Sequence, residues 1–210
     1  MKFPPALFVT GTDTGVGKTF VSAVLMCGLL NARYWKPVQS GTCEGTDTGW
    51  IRAATTLAPE RFYPEAVKLK APLSPHLAAS MENASICLED FTLPPVPENG
   101  HLIVEGAGGI LVPLNAQELV ADLIVKLDLP ALLVARSGLG TINHCLLSIF
   151  ELRRRGIEIL GVVMNGPVNP ENKKAIEHYG KARVLAQIPP VKDADFSSLK
   201  RLFTEEFDVS

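Results

Sequence analysis

The run Gly11-Thr12-Asp13-Thr14-Gly15-Val16-Gly17-Lys18-Thr19 constrains this chain more than any other stretch. A short apolar segment, residues 6–9, precedes it, and an almost wholly apolar one, residues 20–30, follows it. That order predicts a strand, a glycine-rich loop and a helix. Backbone N–H groups of such a loop converge at a helix N-terminus, where the dipole favours negative charge, so the loop suits phosphate. Lys18 would reach the β- and γ-phosphates, and the Thr19 hydroxyl would ligate Mg²⁺. A nucleoside triphosphate is the ligand this chemistry fits. The spacing has one peculiarity: five residues separate Gly11 from Gly17, where the general pattern has about four.

Further strand-like apolar runs follow at 34–38, 102–104, 131–135, 157–164 and 184–188. Helix-like patterns lie between them, at 19–31, 48–57, 74–81, 117–126, 141–155 and 170–179. The strand runs are apolar on both faces, as a parallel sheet covered from both sides requires. Strand and helix in alternation predict an α/β fold, doubly wound, with a mainly parallel sheet and helices on both faces. A chain of 210 residues, 47% of them apolar, is the right size for one domain spanning 1–210. The proline-rich stretch 59–97 reads as a surface excursion with one or two helices, and the segment after Pro190 shows little pattern.

Composition removes several classes of function. A net charge of −2 provides no electrostatic footprint for nucleic acid. The apolar stretches are too short or too interrupted to span a membrane, and Met1-Lys2-Phe3-Pro4-Pro5 has no signal-peptide character. Cys27, Cys43, Cys87 and Cys145 are scattered without metal-ligand spacing, which suits reduced thiols in a cytoplasmic protein.

In this architecture ligands bind at the carboxyl ends of the strands, so the residues leaving each strand carry the chemistry. Lys36 leaves the second strand, ahead of Ser40 and Gly41, at the same sheet edge as Lys18. Two cations beside a triphosphate make sense if a second anion must be held there. Asp47 reads equally as a helix cap and as a metal ligand. Glu105 leads into a glycine-rich turn, Gly106-Ala107-Gly108-Gly109, where an acidic Mg²⁺ ligand is needed. Thr141 is placed to cap the helix after the fourth strand, whose free N–H groups could hold a carboxylate, while His144 reads as a packing residue. Asn165-Gly166 closes the fifth strand, where the Asn could read a base edge although Asn-Gly is equally a generic turn signal, and Pro189-Pro190 closes the sixth, where it could pack against the base.

Five motifs taken together resemble the dethiobiotin synthetase family: Gly-Thr-Asp-Thr-x-x-Gly-Lys-Thr at 11–19, Lys-Pro-Val-x-Ser-Gly at 36–41, Ser-Pro-His at 74–76, Val-Glu-Gly-Ala-Gly-Gly at 104–109, and Gly-x-Ile-Asn-His at 140–144. They come in the family's order, and the five-residue spacing of the phosphate loop is the family's own form. The resemblance implies a P-loop NTPase-like fold and an ATP- and Mg²⁺-dependent ring closure of 7,8-diaminononanoate with CO₂, through a carbamate and a carbamic–phosphoric anhydride. It implies that Lys36, Lys18 and Thr14 act at the reacting groups and that Thr19, Asp47 and Glu105 hold Mg²⁺, with Glu44 a neighbouring candidate for the place of Asp47. Gly15, Val16, Gly17, Phe20, Gly106, Ala107, Gly108, Asn165, Gly166, Pro189, Pro190 and Val191 would line the nucleotide, and Ser40 would contact the substrate. The family is homodimeric, and Gly140, Thr141 and Asn143 resemble the segment that holds the substrate carboxylate across the interface. Switch ATPases of the cell-division or partition type share the fold, but usually carry an extra lysine where this chain has Thr12 and Asp13. The related amide synthetases of cobalamin synthesis need a glutaminase domain for which no length remains.

Overall fold

Alternate residues of the first strand, β1 (Ala6–Gly11), feed two different hydrophobic layers. Leu7 and Val9 pack with the apolar face of α1 (Lys18–Gly28), whereas Ala6 and Phe8 face the opposite layer. That two-sided burial marks a central strand of a covered parallel sheet. The chain, a computed structural model that describes residues 2–207, continues through β2 (Arg33–Trp35), β3 (Val38–Gln39), α2 (Asp47–Thr55), β4 (Val67–Lys68) and α3 (Pro75–Met81). It then runs through β5 (Leu102–Gly109), α4 (Val120–Leu127), β6 (Ala131–Arg136), α5 (Thr141–Arg154), β7 (Ile159–Asn165), α6 (Pro170–Gly180), β8 (Val184–Ile188) and α7 (Phe196–Glu206).

Six strands form one sheet in the order β2-β5-β1-β6-β7-β8, and every neighbouring pair is parallel. One face is covered by α1 and α7, the other by α4, α5 and α6. The fold is thus doubly wound, as the alternating pattern predicts. From β1 the chain crosses over β5 to reach β2, and from β5 it crosses over β1 to reach β6. The carboxyl end of β1 therefore lies at the switch in winding direction, where such sheets open a crevice.

Three boundaries differ from the sequence reading, each for a tertiary reason. The run 34–38 breaks at Lys36-Pro37: β2 ends at Trp35, and Val38-Gln39 pairs instead with Val67-Lys68 of the excursion. Proline has no N–H for the ladder, and its carbonyl accepts from Val67 N. Glu105 does not leave the strand: β5 runs on to Gly109, so Glu105 lies inside it, opposite Val9. Thr141 does not cap α5; Gly140 does, and the Thr141 hydroxyl donates to Arg136 O at 2.5 Å.

The segment after Pro190 forms α7, begun by an Asp195–Ser198 capping box. Leu199, Leu202 and Phe203 face α1, with Phe203 against Gly28; a Cβ there would come within 1.9 Å of its ring. Asp208, at the acidic end of the chain, lies outside the described residues.

Candidate active site

The loop between β1 and α1 is held open by its own backbone and by its neighbours. Thr12 N donates to Val134 O of β6 at 2.9 Å, and Thr14 N donates to the Asp13 carboxylate at 2.7 Å. Arg136 braces the tip, donating to Asp13 Oδ2 at 3.3 Å and to Thr14 O at 3.1 Å. Gly17 precedes α1 with φ 97°, in the left-handed region, and no side chain caps the helix. A Cβ at Gly17 would fall 2.0 Å from Asn165 Nδ2, which donates to Val16 O at 3.0 Å. Asn165 is therefore tied to the phosphate loop, not simply a turn residue.

Behind the loop lies a buried charge cluster. Lys36 Nζ sits 2.5 Å from Asp47 Oδ2 and 3.0 Å from Glu105 Oε1, and donates to Gly106 O at 3.0 Å. Burial alone would push the Lys36 ammonium down, but Glu105 and Asp47 outweigh it and hold the group above its ordinary value. Burial opposes the charge of Asp47 too, and Lys36 holds that carboxyl below the usual range. Lys18 differs: burial, then the neighbouring Lys36, lower it to about 8. Its Nζ donates to Asp13 O at 2.9 Å, curled back over the loop.

Asp47 is the first residue of α2, and the cap is Thr46, whose side chain accepts from Gly49 N. This frees the Asp47 carboxylate to face Lys36, while Asp47 N donates to Gln39 Oε1 at 2.9 Å. Glu105 is fully buried, and accepts from Thr19 Oγ1 at 3.0 Å and Ser22 Oγ at 2.8 Å. Tyr34 Oη also donates to it, at 2.9 Å; burial and then the Glu105 charge raise the Tyr34 hydroxyl far above its ordinary value, so it keeps its proton.

Two cavities meet here. A larger one of about 780 Å³ is lined by Thr14, Gly15, Gly17, Lys18, Thr19, Phe20, Lys36, Glu44, Asp47, Trp50, Glu105 and Gly108. A second, of about 540 Å³, shares Thr14, Lys36, Asp47 and Gly108, and adds Val38, Ser40, Pro72, Leu73, Pro75, Ala107 and Val112. Ser40 Oγ is buried at this wall without a hydrogen-bond partner among the described residues.

Other residues singled out in the sequence stand apart. Val16 is buried in the core, and Gly166 packs its backbone against the Ser137 side chain. Pro189, Pro190 and Val191 follow β8 outside both cavities. Gly140 and Thr141 line a recess of about 50 Å³ with Thr12, Asp13, Arg136 and His144. Asn143 and His144 are exposed, so His144 does not pack within its own chain. Sequence reading missed Ser22, Tyr34, Gln39, Trp50 and Arg136. Ser22 carried the one available signal, since it lies one helical turn beyond Thr19.

Thr19, Asp47 and Glu105 present one hydroxyl and two carboxylates, the hard oxygen donors that Mg²⁺ takes alongside phosphate oxygens and water. Among the described residues there is no cluster of three or more His, Cys, Asp or Glu side chains that would suit a softer or all-protein site.

A family model described as an AAA domain matches residues 5–198. The ATP-dependent dethiobiotin synthetase BioD of Paramagnetospirillum magneticum is 55% identical over 186 residues, 88% of this chain and 88% of that one. The chain belongs to the dethiobiotin synthetase family. As a member, this synthetase is an enzyme of the ligase class. The counterpart from Rhodopseudomonas palustris is 43% identical over 97% of this chain and 96% of its own. In Bordetella avium a biotin biosynthesis bifunctional protein, BioCD, is 51% identical over 91% of this chain but 41% of its own length. A solved nucleotide-binding protein from Archaeoglobus fulgidus, in complex with ADP, shares 15% identity at a TM-score of 0.51, covering 94% of this synthetase and 86% of that chain. That likeness is one of fold, P-loop NTPase-like in both.

Proposed function

We propose that this ligase carries out ATP-dependent synthesis of dethiobiotin for biotin biosynthesis, from 7,8-diaminononanoate and CO₂. The observation that carries the reading is the pair of cavities sharing Thr14, Lys36, Asp47 and Gly108. One has the phosphate loop as its floor. The other combines an unpartnered hydroxyl, Ser40, with aliphatic walls from Val38, Leu73, Pro75 and Val112, suited to a carbon chain bearing amines.

The chemistry follows from that adjacency. One substrate amine adds to CO₂, forming a C–N bond and releasing a proton, to give a carbamate. A carbamate is a poor electrophile because its charge is delocalised over two oxygens. Transfer of the γ-phosphoryl group to one of those oxygens gives a mixed anhydride and ADP. The second amine then attacks the carbonyl carbon; its C–O bond to phosphate breaks, and the ring closes with loss of a proton. The carbamate and the triphosphate are both anionic, so bringing them within reach needs fixed positive charge. Lys36, at the shared wall, and Lys18, over the loop, would provide it, and Thr14, which lines both cavities, would hydrogen-bond the carbamate. Thr19, Asp47 and Glu105 would hold Mg²⁺, which when bound screens phosphate charge. Asn165, Gly166 and Pro189 to Val191 would border the base, and Gly15 to Phe20 and Glu105 to Gly108 the phosphates.

The same reading makes the protein a homodimer over a single 1–210 domain, with Gly140, Thr141 and Asn143 holding the substrate carboxylate of the partner's site. Supporting this, Leu139 before that helix start and Leu147 and Phe150 further along the same helix are exposed, at 108%, 62% and 53%. Among the described residues no helix is long and apolar enough to cross a membrane.

Incorporation of labelled bicarbonate into acid-stable product, with Mg-ATP and with or without the diamine, tests the proposal. Diamine-dependent label matched by ADP release is the expected result. Hydrolysis of ATP without incorporation would instead favour a switch ATPase.

A further inference from the structure

The two oxygens of Glu105 keep different company. Oε1 accepts from Thr19 Oγ1 and Lys36 Nζ, both at 3.0 Å, and both donors line the larger cavity. Oε2 accepts from Ser22 Oγ at 2.8 Å and Tyr34 Oη at 2.9 Å, and neither donor lines that cavity. Ser22 and Tyr34 are themselves fully buried. They arrive from different elements: Ser22 from α1, one turn beyond Thr19, and Tyr34 from β2, whose partner across the ladder is Ile103 of β5. Tyr34 is held in turn, its ring edge-on to Phe62 with centroids 6.2 Å apart and its carbonyl accepting from Tyr63 N at 2.8 Å.

A carboxylate oxygen offers two lone pairs. Two donors on Oε2 fill that oxygen and fix the plane of the group about its Cγ–Cδ bond. The other oxygen is thereby kept facing the cavity. We propose that Tyr34 and Ser22 are positioning residues which clamp Oε2 of Glu105 so that Oε1 stays aimed at Thr19 and at the metal–nucleotide complex. This rests on the reading in which Glu105 helps to hold Mg²⁺. Outer partners of ligating carboxylates act in this way elsewhere, and their loss typically weakens metal affinity or activity about tenfold to a hundredfold. A merely structural role would have the two hydroxyls satisfy a buried charge with no consequence for metal.

Calorimetric binding of ADP, once with Mg²⁺ and once with a chelator, separates these roles in the wild-type chain, Tyr34→Phe, Ser22→Ala and the double variant. The expected result is a Mg²⁺-linked gain in ADP affinity that is about tenfold smaller in each single variant and smaller still in the double, with the chelator arm unchanged. Variants that keep the wild-type gain, or lose affinity equally in both arms, would overturn the clamp and leave the metal role of Glu105 standing. A wild-type chain indifferent to Mg²⁺ would overturn that metal role and the clamp with it. If Tyr34→Phe fails to fold, Ser22→Ala decides alone, because it removes one donor and leaves the tyrosine ring packed.

Discussion

Two helices of this protein begin alike and end up differently employed. Both α1 and α5 follow a central strand, both start after a glycine in the left-handed region (φ 97° at Gly17, φ 90° at Gly140), and neither has a side-chain cap. Each thus presents free N–H groups suited to an anion. Around the start of α1 the chain closes a cavity of about 780 Å³ with two lysines and three carboxylates. Around the start of α5 there is a recess of about 50 Å³, bordered by Arg136 and His144 and by the fully exposed Leu139. The contrast teaches that an uncapped helix start becomes a site only when other elements surround it. One chain does this for α1; for α5 the missing walls would come from a second copy.

The sharpest way to test the completeness of the first site is to remove its cations. Lys18→Ala should abolish most turnover, and Lys36→Ala should lower it at least about a hundredfold, the scale of losing one transition-state donor. Steady-state kinetics with the diamine check both, and an active Lys36→Ala enzyme would remove Lys36 from the chemistry.

The second helix start is tested by its neighbours. Leu147→Glu should weaken self-association about thirtyfold, the scale of an interfacial anchor, seen by sedimentation as a shift towards monomer. Turnover should fall with it while ADP binding by each chain persists. Asn143→Ala should raise the KM for the diamine about tenfold, as loss of a bond to a charged group would, with little change in the KM for ATP. An effect confined to ATP would place Asn143 elsewhere.

The smallest effect separates the two starts by pH. Free Lys18 loses its proton near pH 8, because burial and Lys36 lower it below an ordinary lysine. An arriving phosphate favours the charged form, so binding takes up a proton. In a chelator, ADP affinity should be full well below pH 8 and fall about tenfold from about pH 7 to pH 9. Calorimetry in buffers of different ionisation heat measures the proton directly. For stability the sign is the reverse of a stabilising lysine pair: between about 8 and 10.5 the unfolded chain holds the proton that folded Lys18 has lost, so this group's contribution rises with pH.

Much of this was legible in the residues. The phosphate loop could be read because its function lies in backbone conformation, and glycine spacing encodes that locally. The sheet could be read because strands buried on both faces must be apolar throughout. Less legible was the end of β5: Gly106, Ala107, Gly108 and Gly109 look like a turn, yet the strand carries on through an irregular register, with Gly108 at φ 64°, to pair Gly109 with Gly11 of β1. Helix α7 was missed although Leu199, Leu202 and Phe203 have helical spacing, because eleven residues without a partner give a weak signal; packing on Gly28 supplies what is lacking.

By itself, then, the sequence determined what depends on neighbours a few residues apart: the loop, the strand and helix order, and the set of charged residues near strand ends. Tertiary structure decided which of those charges meet. Lys36 bridges Asp47 and Glu105, and Ser22 and Tyr34 share one oxygen of Glu105, across separations of up to 83 residues. No local pattern encodes such pairings, because they follow from strand order, which global burial selects. A buried carboxylate is stable only where several donors converge on it. That convergence is a property of the folded sheet.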